Sequence, residues 1–473
     1  MDFADFWDIC LDEDFVKHYE TFKAVFSKEL PARIAEEYEV GEVLIEFISH
    51  YEEAKEYAKI VEFTDILAAH NPEFLTEVAP YFDEFLIGYF CYQGQTERLD
   101  APIRRFLSNP LEHYELFIKS LQLLIYYGYA DQVKAIIGQV YSEVRDSGKL
   151  LAGAERELAM YRFYQELERV YIHYDEEMVF EWEVFRKDLQ AFDFKFKDES
   201  LLKELGEILR LSLWEVRIGL SPAFKYNRTE ALSRLGKCFL VYMRERGVSF
   251  AVSSDIWDNL VAYWEDRRGI SSLEIHFSLR PASFKEYLLK KSGFILDYRF
   301  YSVMILWGST YVYDFLKATE LIDETSWENT QKGIRKLKEA LIQEDPDNLW
   351  KYSFVHGWGK PDFLSEEEWQ QEQVTFREYH AKFADKKSKP SGASFFFPSE
   401  GELAEKLKRL ERSTPEEDRS EKAPKVVPLK TKLPKIGRNE RITVKYSDGR
   451  IVQDIKFKKV KADLEAGDCE IIS

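Results

Sequence analysis

Two Asn-Pro pairs, Asn71-Pro72 and Asn109-Pro110, stand 38 residues apart, and each introduces an apolar run at helical spacing. Asparagine caps a helix N-terminus by accepting from a free amide N–H, and proline suits the first turn, where its missing N–H costs nothing. The first run carries Phe74, Val78, Phe82, Phe85, Leu86, Tyr89 and Phe90; the second carries Phe117, Leu121, Leu124 and Ile125. Steps of three and four put each set on one helix face. Each run stops at a glycine, Gly94 and Gly128, 34 residues apart. Beyond them Leu99, Ile103 and Phe106 align with Val133, Ile137 and Val140. Each unit is therefore helix, tight turn, helix, with glycine in the left-handed turn. A lone pair leaves an apolar stripe wet, so neighbouring pairs must stack. The plainer alternative is an ordinary helical bundle with a chance internal similarity.

The stretch from His70 to Val144 resembles the tetratricopeptide-like class of helical repeats, over two units with an insertion of four residues and without the full consensus. The resemblance implies a stacked helical architecture and says little of function. The expected fold is mainly α: a helical-repeat (α-solenoid-like) body, a flexible linker and a small C-terminal module containing a β-hairpin. Residues 1–150 are expected to form the tetratricopeptide-like pairs and 151–384 an all-helical continuation. Within the latter, Ser326 to Gln343 reads as an amphipathic helix with Lys332, Lys336 and Lys338 on its polar face.

Charge is divided unevenly. The whole chain carries −19, with 66 basic and 85 acidic residues. From Asp385 onward 21 basic residues face 16 acidic ones, +5, which leaves −24 for the body. An acidic body disfavours global binding to nucleic acid or an anionic membrane. Residues 385–433 are rich in proline and charge and read as a disordered linker with a short helix from Ser399. Phe395, Phe396 and Phe397 interrupt it as a docking peptide, directed either to the protein's own body or to a partner.

The last 40 residues, 434–473, carry the clearest strand signal. Arg441 to Phe457 alternates around Asp448-Gly449, a preferred two-residue hairpin turn, which would set Tyr446 opposite Ile451. One face carries Ile442, Val444, Tyr446, Ile451, Ile455 and Phe457; the other carries the basic residues Arg441, Lys445, Arg450, Lys456 and Lys458. That basic face points to phosphate, RNA or an acidic protein surface as its contact. The run Ile436-Gly437-Arg438-Asn439 resembles the tail segment of bacterial SecA translocase motors and SEC-C motif proteins. In that family the run precedes a cysteine-rich zinc knuckle contacting export chaperones and ribosomes. Here Ile442-Thr443-Val444 follows instead, so zinc binding does not carry over.

No nucleotide-binding glycine loop, nucleophile elbow or H-E-x-x-H helix occurs. Glu46 and His50 share a face at a spacing metals use, and His173 lies among Asp175, Glu176 and Glu177, but neither makes a site alone. Cys10, Cys91, Cys238 and Cys469 are scattered. Neither a signal peptide nor a membrane span is read from the sequence, and cytoplasm is the expected location. The expectation is a non-enzymatic interaction scaffold, without cofactor or metal, that binds a protein or peptide partner. Tyr126, Tyr127 and Tyr129, around one turn, are its candidate groove. Protein export or ribosome-associated protein handling is what the tail resemblance implies, with RNA or ribosome binding through the basic module as the alternative.

Overall fold

The computed structural model describes residues 18–31, 40–150, 153–196, 199–213, 215–216, 227–265, 276–291, 299–344, 346–382, 441–446, 451–456 and 469–471. They fall into two units, Met1–Glu402 and Leu403–Ser473. The described part of the first unit is a mainly α, repeat-like helical bundle without strands. Its elements in order are α1 (Tyr19–Phe26), α2 (Val40–Glu53), α3 (Tyr57–His70), α4 (Pro72–Gln93), α5 (Asp100–Ser108), α6 (Tyr114–Tyr126), α7 (Ala130–Asp146) and α8 (Ala154–Glu177). Then come α9 (Trp182–Gln190), α10 (Glu199–Leu209), α11 (Arg228–Arg244), α12 (Phe250–Glu265), α13 (Pro281–Lys291), α14 (Arg299–Ala318) and α15 (Glu324–Glu344). A 3-10 strap, Pro346–Gly357, leads to α16 (Glu366–Lys382).

The helical pairs follow their sequence pattern. Gly94 and Gly128 close α4 and α6 at φ 66° and 82°, a left-handed geometry that a Cβ opposes. Phe82, Phe90, Leu121 and Leu124 are buried on the first helices, and Leu99, Val133 and Ile137 on the second. Helix α4 packs on α5 and α6, and α7 packs on α8, so each pair buries the stripe its neighbour leaves open.

The Asn-Pro reading needs correcting. Pro72 does open α4, but the Asn71 side chain does not cap it. Asn71 instead accepts from the Leu30 amide (2.9 Å) and donates to the Phe26 and Lys28 carbonyls (2.7 and 2.9 Å). Buried at the chain crossing, it satisfies the open end of α1 across about forty residues. Asn109 is not an N-cap either: it follows the last turn of α5, and α6 begins only at Tyr114.

Two helix crossings are set by glycine. A Cβ on Gly308 of α14 would meet Ile256 Cγ1 of α12 at 2.6 Å, and one on Gly236 of α11 would meet Trp257 Cδ1 at 2.7 Å. These contacts draw α11, α12 and α14 together around Phe239, Trp257 and Phe315, whose rings lie 5.5–6.2 Å apart.

The strap is absent from the sequence reading. Leu349, Tyr352, Val355 and Trp358 recur every three residues, the period of a 3-10 helix, and all four are buried. It returns to the first pairs: Trp350 sits among Tyr57, Phe85, Tyr89 and Tyr92 with centroids 5.1–6.4 Å away, and its Nε1 donates to Tyr57 Oη at 3.2 Å. Lys351 Nζ pairs with Glu52 at 2.9 Å. The described helices therefore do not end as an open stack; residues near 350 lock onto residues 52–92.

In the second unit β1 (Arg441–Tyr446) lies between β2 (Ile451–Lys456) and β3 (Cys469–Ile471), all antiparallel. Arg441 pairs with Lys456 and Ile442 with Ile455; the register then slips, so Lys445, not Tyr446, stands opposite Ile451. A slip of this kind is a bulge that locally sharpens strand twist. The turn residues and the expected linker, 385–433, lie outside the described residues.

Candidate functional site

A cleft of about 1040 Å³ opens where the pair turns meet the rest of the first unit. Its wall is built from three kinds of segment. The turns after α4 and α6 supply Tyr92 to Gly94 and Ile125 to Gly128. One face of α8 supplies Arg162, Gln165, Glu166, Arg169 and Ile172, at steps of three and four. The α11–α12 junction and the strap close it with Arg244, Val252, Phe354 and Trp358.

The α8 face is a charge relay around one carboxylate. Glu166 is 1 % exposed and receives Arg162 Nη2 at 2.5 Å, Arg169 Nε at 2.8 Å and Lys134 Nζ at 3.1 Å. Burial alone would raise its pKa; the Arg169 hydrogen bond and the Arg162 and Lys134 charges overcome that and hold it at about 2. Arg169 also pairs with Glu181 (3.1 Å) and lies 3.7 Å from Asp188. Glu168 accepts from the Phe250 amide at 3.0 Å, tying α8 to the start of α12, and faces Arg244 Nε at 2.9 Å.

One donor in this lining remains without an acceptor: Arg169 Nη2 is a buried atom whose Asp188 neighbour stands 3.7 Å away, whereas Arg244 Nε is ion-paired with Glu168 at 2.9 Å. A buried N–H without an acceptor costs about 1–3 kcal/mol. Four cations, Lys134, Arg162, Arg169 and Arg244, face three anions, Asp131, Glu166 and Glu168, in a chain that is otherwise strongly acidic. The cleft can therefore accept carbonyl or carboxylate oxygens beside an apolar wall of Ile172, Val252 and Phe354.

The residues expected from sequence fare differently. Tyr126 is 4 % exposed rather than open. Its ring packs against Phe354 (5.3 Å) and Phe300 (5.8 Å), and its hydroxyl reaches Asp255 Oδ2 at 3.3 Å. Tyr127 is half-buried, with its hydroxyl 3.0 Å from Ser353 Oγ and 3.4 Å from the Trp350 carbonyl. Tyr129 is half-buried beside Thr96 and packs at the edge of the core. The strap thus packs over the Tyr126 and Tyr127 rings, which still border the cleft beside the charged α8 face. Phe395, Phe396, Phe397, Arg450 and Lys458 lie outside the described residues. Arg441 and Lys456 are paired across β1 and β2, and Lys445 is exposed on β1.

Sequence reasoning missed Arg162, Glu166 and Arg169, although their i, i+4, i+7 spacing was visible on α8. His50 lies 3.8 Å from Glu46 and His173 3.7 Å from Glu181. Among the described residues no group of three or more His, Cys, Asp or Glu is placed to hold a metal, and no helix is long and apolar enough to cross a membrane. Cys91 and Cys238 are free and buried. Comparison with protein-family models, curated proteins and solved structures returned no match.

Proposed function

We propose that the first unit is a non-enzymatic scaffold that binds a polypeptide segment in the α8 cleft. The observation carrying this reading is a cleft of about 1040 Å³ in which Lys134, Arg162, Arg169 and Arg244 stand beside an apolar wall, with Arg169 Nη2 lacking an acceptor. Main-chain carbonyls or an acidic side chain of a peptide would meet the cations of this face, and its apolar side chains would lie against Val252 and Phe354. The tetratricopeptide-like reading of residues 1–150 and the SecA-like reading of the tail belong to the same proposal. On this reading the protein acts in the cytoplasm, in export or ribosome-associated protein handling.

The test is a displayed random-peptide library selected on the full chain. Binders are then photo-crosslinked from a benzophenone amino acid placed at Gln93 or Gln165 in the cleft, or at the exposed Met178 outside it. Crosslinks confined to Gln93 and Gln165 support the reading. Binders that crosslink only from Met178, or no binders at all, would refute it.

A second reading rests on charge: between Lys422 and Lys461 the chain has 13 basic and 3 acidic residues, with Lys445 exposed on β1. RNA binding through this module predicts an affinity that falls steeply with salt and is abolished by Lys445→Glu with Arg450→Glu and Lys456→Glu. A salt-insensitive affinity would exclude it.

A further inference from the structure

Lys338 does not lie on the polar face that its helix spacing predicts. It is 5 % exposed, while Lys332 and Lys336 on the same helix are open to solvent. Its Nζ stands 4.9 Å from the centroid of the Trp307 ring on α14. Among the described residues no hydrogen bond or ion pair meets that amine. Two carboxylates act on it at longer range: Glu372, whose own carboxyl the Lys338 charge helps hold at about 2, and Asp314. Glu372 Oε1 accepts from Trp307 Nε1 at 2.6 Å and lies 3.1 Å from His356 Nε2. Asp314 accepts from Trp327 Nε1, Gln331 Nε2 and the Asp362 amide, at 2.8, 2.8 and 2.9 Å.

A cavity of about 540 Å³ between α15 and α16 has Lys338 and Glu372 in its lining. Ile334, Ile342, Phe363 and Leu364 wall it, and Glu339 and Glu367 stand among its lining residues. Arg335, the other cation there, is occupied by Glu368 at 3.1 Å and stacks over Phe363. Burial lowers the pKa of the Lys338 amine, against the opposing pull of Glu372 and Asp314. An amine held beside a cavity without a fixed hydrogen-bond partner acts as a nucleophile once it gives up its proton, and burial eases that loss.

We propose that Lys338 is an imine-forming site that captures a small aldehyde or ketone with an apolar or aromatic body. The amine nitrogen adds to the carbonyl carbon, forming the C–N bond. The carbonyl oxygen then leaves as water with the two amine hydrogens, so the product is a C=N bond and no redox partner is needed. The Glu339 and Glu367 carboxylates disfavour an anionic ligand, and the aliphatic and aromatic walls favour an uncharged one. This site is separate from the α8 cleft, and neither reading depends on the other.

The test is reductive trapping on the full chain at about pH 7 with benzaldehyde and cyanoborohydride, followed by peptide mass spectrometry of each lysine. Benzylation of Lys338 is expected at least about 10-fold faster than that of Lys332 or Lys336, and to saturate with benzaldehyde concentration. A buried lysine with only a packing role would be protected and react more slowly than its exposed neighbours, which would overturn the proposal. Lys338→Arg removes the primary amine while a long side chain still packs on Trp307; it should abolish the saturable adduct while leaving the melting curve close to that of the parent chain. Saturable labelling that persists in this variant would equally overturn it.

Discussion

Replacing Trp350 with alanine should loosen the strap and the helices it seals. The side chain is 2 % exposed and contacts four aromatic rings on α3 and α4. Truncation of a buried Trp costs about 3–5 kcal/mol, the spread reflecting how far the cavity collapses. Loss of the Nε1 donor to Tyr57 falls within that figure. Trp350→Phe keeps most of the packing and should cost about 1–2 kcal/mol, the donor and part of the ring. Hydrogen–deuterium exchange read by mass spectrometry follows the opening directly. At 1.4 kcal/mol per decade, amides of the strap and of the N-terminal half of α3 should exchange faster by about two to three orders of magnitude in Trp350→Ala. Those of α9, which packs on α8, should be unchanged. An acceleration below about 10-fold in the strap would refute the claim that Trp350 holds it down.

Three further outcomes follow from the packing. Gly308→Ala should destabilise by about 1–3 kcal/mol in urea denaturation, because its Cβ meets Ile256 Cγ1 at 2.6 Å; a neutral result would mean that α12 can shift without cost. Asn71→Ala should lose about 1–3 kcal/mol by leaving the Leu30 amide and the Phe26 and Lys28 carbonyls unmet; an unchanged denaturation midpoint would show that water replaces the side chain. The third concerns acid. Glu166 titrates at about 2 in the folded chain against 4.5 in the unfolded one. Its ionised form therefore contributes about 3 kcal/mol that is fully present above pH 4.5 and is lost as pH falls toward 2. Glu166→Gln should flatten the acid limb of a stability–pH curve over that window, whatever its offset at neutral pH. An acid limb as steep as the parent's would place the titration elsewhere.

Local patterns in the chain were legible and distant ones were not. The glycine stops at Gly94 and Gly128 and the paired stripes of α4 to α7 are short-range chemistry, and each was readable from spacing. Asn71 looked like a cap because the cap is the commonest local use of Asn before Pro; its true partners come from a loop some forty residues earlier. Tyr126 and Tyr127 looked exposed because nothing near them in sequence covers them, and the cover arrives from residues 350–354. Lys338 sat on the polar side of a two-sided helix, yet its amine folds over the Trp307 ring of α14. The strap was the one missed element with a readable signal, its period of three at Leu349, Tyr352, Val355 and Trp358. The relay at Glu166 was readable only as a run of charges, since Lys134 joins it from the preceding helix.

The lock between the strap and the first pairs can be tested by zero-length carbodiimide coupling of the full chain. Coupling joins only carboxylates and amines already in contact, and Lys351 Nζ lies 2.9 Å from Glu52 Oε1 across 299 residues. Mass spectrometry should find an isopeptide bond between those two residues, together with the Lys119–Glu84 pair that bridges α4 and α6. Recovery of Lys119–Glu84 without any Lys351–Glu52 product would contradict the closed arrangement and reopen the tyrosine turn as a free surface.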